Sequence, residues 1–286
     1  MKHFKEILMK IIFFIAACTS VLAVALICIF LFANGVPAMG KIGLGEFLTG
    51  TMWKPSNHIF GILPMILGSI YVTAGAIIIG VPIGLCTAVF MAHYCPKKIY
   101  GICKASVNLM AGVPSVVYGF FGLVCIVPLM QALTGHDGST MLTASILLGI
   151  MILPTIVSVC EAAIRSVPTP YYEGALALGA TKERSIFLTV IPAAKSGIIT
   201  AIVLGTGRAI GEAMAITLVA GSSVNPPFPF NSVRFLTTAI VSEMGYAADL
   251  HRQVLFTIGL VLFVFIMLIN VVLTRILKKG IDDDAK

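Results

Sequence analysis

Six runs of apolar residues, at 11–33, 66–92, 106–133, 140–162, 196–221 and 253–277, alternate with shorter stretches that hold nearly all the charge. Each run is long enough to cross a bilayer core, which takes about 20 residues of helix. The pattern therefore predicts an all-α integral membrane protein of six transmembrane helices. The first run follows MKHFKEILMK and outlasts the roughly 7–15 apolar residues of a signal peptide. No small-residue cleavage site follows it, so a retained helix is expected. The third run is the least regular, because Gly112, Pro114, Gly119 and Gly122 interrupt its first half. The organisation that follows is an N-terminal segment, first helix and external loop over 1–59, a transmembrane domain over 60–277, and a short polar tail over 278–286.

Composition agrees with this pattern, since 58% of the 286 residues are apolar and only 11% are charged. The net charge of +7 raises the question of nucleic acid, but the basic residues form no stripe with interleaved aromatics, which excludes it. Their placement is more telling. Lys2, Lys5, Lys10, Lys97, Lys98, Lys104, Arg165, Lys182, Arg184, Lys195, Arg275, Lys278, Lys279 and Lys286 fall at one predicted side, and only Lys41, Lys54, Arg234 and Arg252 at the other. The excess of basic residues on cytoplasmic loops places both termini in the cytoplasm, as an even number of spans requires.

Reactive chemistry is sparse. Six of the seven cysteines, Cys18, Cys28, Cys86, Cys103, Cys125 and Cys160, lie in or beside apolar runs, and Cys95 sits in a connection, so buried inert thiols are expected and no disulfide framework or zinc site. His3, His58, His93, His136 and His251 lie at span ends or in loops, where solvation is the expected state. There is no phosphate-binding G-x-x-x-x-G-K-[ST] loop, no H-E-x-x-H and no G-x-S-x-G. No enzyme and no metal site are expected. Away from the ends of the runs the strong charges are Arg208 and Glu212, in GTGRAIGEAMA. Four residues apart on one helix they share a face, and at the bilayer centre each costs about 2.5–3.5 kcal/mol.

The connection between the fourth and fifth runs, 161–197, is too polar for the bilayer and too helical for a tether. YYEGALALGA predicts a short helix with a glycine stop at Gly179, isolated from the fourth span by Pro168 and Pro170, and Pro192 marks the entry to the fifth span. Glu173-Gly174-Ala175, three residues, Gly179, nine residues and Thr189-Val190-Ile191-Pro192 resemble the EAA loop of ABC importer permeases, E-A-A-x3-G-x9-I-x-L-P. Gly174, Thr189 and Ile191 depart from that pattern. A literal Glu161-Ala162-Ala163 has no glycine at the required distance and is read as a decoy. In that family the loop is a coupling helix seated on a separate ATPase subunit, which accounts for the missing phosphate loop.

GVPSVVYGFFGL (112–123), GRAIGEAMAITLVAG (207–221) and VRFLTTAIVSEMGYA (233–247) are similar to the PstC-type permease subunits of phosphate-specific importers. The resemblance covers roughly 60–277. It implies the type I ABC importer permease fold, a PstA-type permease partner, two ATPase subunits that hold the ATP, an external phosphate-binding protein, and no cofactor in this chain. A guanidinium matches two phosphate oxygens at once, so inorganic phosphate is expected to pass Arg208, with Glu212 holding the arginine and repelling or releasing the anion. A structural ion pair between the two is the competing reading. Ser115 and Tyr118 are further candidates for the pathway, against a simple helix kink. Glu243 serves binding-protein docking or caps a local helix, and the sequence leaves both open. Rival functions are a type I importer of another oxyanion or an amino acid, and a secondary transporter or channel.

Overall fold

The computed structural model describes residues 2–283, with side chains from residue 5 to 272 and at 274 and 275; Lys286 and the rest of the tail beyond 283 lie outside the described residues. In the bilayer every backbone polar group must find its partner within the protein, and helices do this segment by segment. The chain runs α1 (Lys2–Ile42), α2 (Leu44–Thr49), a hairpin of β1 (Trp53–Lys54) and β2 (Ile59–Phe60), α3 (Leu63–Val89), α4 (Lys97–Gly112), α5 (Ser115–Phe121) and α6 (Val127–Thr134). It continues through α7 (Met141–Arg165), α8 (Thr169–Ala177), α9 (Lys182–Ser185), α10 (Ile191–Ala193), α11 (Lys195–Gly211), α12 (Met214–Val219), α13 (Leu236–Glu243) and α14 (Asp249–Asp283). Single π-helical turns extend α3 (Phe90–Tyr94), join α5 to α6 (Gly122–Ile126) and join α9 to α10 (Ile186–Val190).

Five stretches are long and apolar enough to span a membrane: Lys5–Ile42, Leu63–Tyr94, Ser115–Thr134, Met141–Arg165 and Asp249–Val272. The sixth crossing is a bent pair, Lys182–Ala193 and Lys195–Gly211, at 69° to each other. The six-span reading therefore holds, but two spans are redrawn. The third starts at Ser115, not 106. Pro114 lacks an amide hydrogen and crowds the residue before it, so Val113 is extended (φ −69°, ψ 126°) and α4 becomes a separate helix. The fifth ends at Gly211 rather than 221. The first is longer than 11–33, and it tolerates Pro37 inside the helix.

The pairing of α3 with α7 sets the core. α7 is the central span, with 61% of its most apolar window buried, whereas the corresponding window of α1 is wholly exposed. α3 and α11 flank it, and a Cβ at Gly80 would meet Ile152 Cδ1 at 2.8 Å and the Gly149 carbonyl at 2.9 Å. Lipid tails are as apolar as leucine, so such close approach, and not hydrophobicity, holds spans together. The second half of α1 packs on α14, where the Thr257 hydroxyl donates to the Gly35 carbonyl at 2.8 Å and Phe30 meets Phe256 edge to face at 5.4 Å. A second core, with Phe47, Phe60, Met65, Leu236 and Leu255, closes the end of the bundle that carries the hairpin. The expected burial of the thiols applies to Cys160; Cys18, Cys86 and Cys125 sit on outward faces of their spans.

Candidate functional site

Two chain breaks meet inside the bundle. At the first, Pro114 precedes α5, and the Tyr118 hydroxyl donates 2.8 Å back across the break to the Met110 carbonyl at the end of α4. At the second, α11 stops at Gly211 and Glu212 is extended (φ −72°, ψ 133°) before α12 begins at Met214. The glycines at 207 and 211 each weaken the helix there by about 1 kcal/mol relative to alanine. Two of the polar groups freed by the break find partners within the protein. The Ala215 N–H donates to Glu212 Oε1 at 3.0 Å, and the Thr237 hydroxyl donates to the Glu212 carbonyl at 2.7 Å. α5 lies directly on α12, since a Cβ at Gly119 would come within 2.7 Å of the Ala215 Cα.

Arg208 and Glu212 therefore do not share one continuous helix, and the ion pair expected from their spacing does not form. Glu212 caps α12 instead. Arg208 stands in the last turn of α11, half-buried, with no hydrogen bond or ion pair to the described residues. Its guanidinium lies within electrostatic range of Tyr118. Ser115 opens α5 three residues before Tyr118, on the same face, and its hydroxyl has no partner among the described residues. The junction thus combines an unpaired cation with a helix N-terminus, whose free amides carry partial positive charge. Anions are what such a constellation attracts.

The predicted loop helix is α8. Glu173 and Gly174 are exposed on it, Tyr171 is 54% exposed, and Leu178, just past its end, is 91% exposed. Gly179 takes φ +86°, its N–H donates to the Leu176 carbonyl at 2.9 Å, and the Ala180 N–H donates to the Ala175 carbonyl at 3.1 Å. This paired closure needs a left-handed residue after the cap, which glycine adopts without strain. It accounts physically for Gly179 at that distance from Ala175. Pro192 lies in α10, immediately before the bend into α11.

Two carboxylate hubs were not expected. Glu161, read as part of a decoy motif, is buried near the end of α7 and accepts from the Tyr100 hydroxyl at 2.7 Å, Lys104 Nζ at 2.8 Å and Arg165 Nε at 2.9 Å. Arg165 also donates 2.8 Å to the Met91 carbonyl and lies 4.6 Å over the Tyr100 ring. The bond to Glu161 holds the Tyr100 phenol above its ordinary pKa. The signal was present as two i, i+4 pairs, Tyr100/Lys104 and Glu161/Arg165, on segments whose contact only the fold decides. At the opposite end Glu243 is buried too. It binds Arg234 Nη1, both of its oxygens lie 3.1 Å from Trp53 Nε1, and His251 Nε2 is at 2.8 Å. His251 is accordingly part of a cluster and not solvated as expected. α13 ends at Glu243, and a cavity of about 500 Å³ beside it is lined by Pro55, His58, Tyr246 and Asp249.

Residues 80–282 match the family of binding-protein-dependent transport system inner membrane components. The chain is 38% identical over 275 residues to a probable ABC transporter permease protein, YqgH, of Bacillus subtilis (strain 168), covering 91% of this chain and 89% of that protein. It is 32% identical to a probable phosphate transport system permease protein PstC of Methanocaldococcus jannaschii, covering 87% of this chain and 86% of that one. Among solved structures, the MetNI methionine ABC transporter in an inward-facing form matches with a TM-score of 0.62 at 21% identity, over 80% of this chain and 99% of that chain. A bacterial ABC transporter involved in the import of the acidic polysaccharide alginate matches with a TM-score of 0.63 at 13% identity, over 93% and 96%.

Proposed function

The chain belongs to the binding-protein-dependent transport system inner membrane components, and on that premise we propose that it is one of two permease chains of an ATP-driven importer of inorganic phosphate. Relatives named as phosphate permeases over most of this chain support the substrate. The observation that carries the reading is the unpaired Arg208 at the meeting of the two chain breaks. A guanidinium stays protonated when partly desolvated and matches two phosphate oxygens at once. Ser115 and the free amides at the start of α5 supply further donors, and Tyr118 keeps that turn in place.

Glu212 has a different part from the one its spacing suggested. By capping α12 it holds the fifth span open beside Arg208, and its charge limits how tightly an anion is kept. A second permease of PstA type faces this junction across the pathway. On the cytoplasmic side, α8 with Glu173, Gly174 and Ala175 seats on one of two ATPase subunits, which hold the ATP. The distribution of lysine and arginine supports both termini on that side. A phosphate-binding protein docks at the other end, on the exposed rim of the cavity around Tyr246, while the buried Glu243 holds that rim together.

The test is radiolabelled phosphate uptake into proteoliposomes holding the permease pair and ATPase, with the binding protein and ATP supplied. ATP-dependent uptake that unlabelled phosphate suppresses and sulfate does not is the expected result, with a large loss in Glu173→Ala. Uptake that persists without the ATPase chain, or that follows another solute, contradicts the reading.

A further inference from the structure

The Glu161 hub lies outside the pathway and outside α8, yet it touches the elements on either side of both. Arg165 is the last residue of α7, and α8 begins at Thr169. Through its guanidinium Arg165 holds Glu161, the Met91 carbonyl at the end of the second span, and the face of Tyr100 on α4. Its stem and Tyr172 of α8 line a common cavity of about 300 Å³. α4 lies between two spans without being one. Its first half is fixed to α7 by Tyr100 and Lys104 on Glu161, and its last turn is fixed to α5 by the Tyr118 hydroxyl. Removing that single carboxylate would take away both hydrogen bonds from α4 to α7 and leave only the contact of Arg165 with the Tyr100 ring among the described residues.

A buried ionic cluster is weak evidence for stability, because well-packed apolar residues in its place are often as stable or more so. What charged, directional bonds add is one fixed orientation. We infer that Glu161 is a positioning residue, which locks α4 to the end of α7 so that displacement of α8 is carried to the Ser115–Tyr118 turn. This rests on α8 being the ATPase-coupling helix.

The experiment uses the complete transport complex in proteoliposomes and reads phosphate imported per ATP hydrolysed. In Glu161→Gln, ATP hydrolysis continues while that ratio falls about five-fold or more, the low end of typical coupling between sites. Tyr100→Phe removes one of the bonds without stranding a charge, and it lowers the ratio in the same direction by less. Because the two residues share one network, the double variant falls no further than Glu161→Gln alone. A second readout is independent of the solute. In a background without the native cysteines, spin labels at Leu178→Cys and Val116→Cys report α8 and α5 when a non-hydrolysable ATP analogue binds. Both labels move in the wild type, only the α8 label moves in Glu161→Gln, and the α5 label moves by less than in the wild type in Tyr100→Phe. An unchanged ratio in Tyr100→Phe, with both labels moving as in the wild type, overturns the inference. Loss of uptake and hydrolysis in proportion, with coupled label movement retained, assigns the hub to structure alone and equally overturns it. Absence of phosphate uptake in the wild type, with the label result as expected, contradicts the substrate and not the role of Glu161.

Discussion

Arg208 and Glu243 are both charged groups inside a membrane protein, and their surroundings are opposite. Glu243 is 4% exposed and bound by an arginine, a tryptophan and a histidine from separate parts of the chain. Its negative charge is accounted for, and the cluster ties the β-hairpin, the loop before α13 and the start of α14 into one end of the bundle. Arg208 sits at a break in a span with no ion pair or hydrogen bond to the described residues. A charge with all its partners built in is architecture. A charge held in the membrane without one is left free for a ligand, and on the proposed reading that ligand is the passing anion.

The contrast is sharpened first at the saturated end. Glu243→Ala strands Arg234, and breaking one side of a buried pair costs about 3–5 kcal/mol. The expected outcome is a clear fall in the thermal midpoint of the purified protein, with the hairpin end opening to proteolysis first. Arg208→Ala strands nothing, so the midpoint holds while phosphate uptake falls about 10- to 150-fold, the equivalent of about 1.5–3 kcal/mol for hydrogen bonds to a charged group. Glu212→Ala lies between the two, because it removes a helix cap worth about 1 kcal/mol. It should lower the midpoint modestly and uptake with it, whereas Glu212→Gln, which keeps the acceptor, should recover the midpoint. Leu178→Ala at the end of α8 should change stability by less than about 0.5 kcal/mol, as a surface position does. Its effect should appear in co-purification of the ATPase subunit instead.

Where the sequence was legible, a local rule sufficed. Apolar run length located six crossings, and the requirement for a left-handed residue made Gly179 a helix stop at the right place. Pro114 announced a break in the third run, though the run's hydropathy continued through it and set the start nine residues early. The fifth span is different in kind. Spacing alone put Arg208 and Glu212 on one face, and it was defeated by the Thr237 hydroxyl, 25 residues further along the chain, which satisfies the carbonyl of the residue where the helix opens. Glu161 went unread for the same reason. Its partners Tyr100 and Lys104 lie 61 and 57 residues away, on a helix whose return onto α7 no local pattern announces.

The central claim is that Arg208 serves the passing anion and not the fold, and one paired measurement reaches it. Arg208→Met, which keeps the apolar stem and removes the charge, is purified with its partners and reconstituted, and melting and phosphate uptake are recorded on the same preparation. The account predicts an intact complex with an unchanged melting midpoint and uptake reduced about 10- to 150-fold. A complex that fails to assemble or melts well below the wild type, or one that still imports phosphate at the wild-type rate, would contradict it.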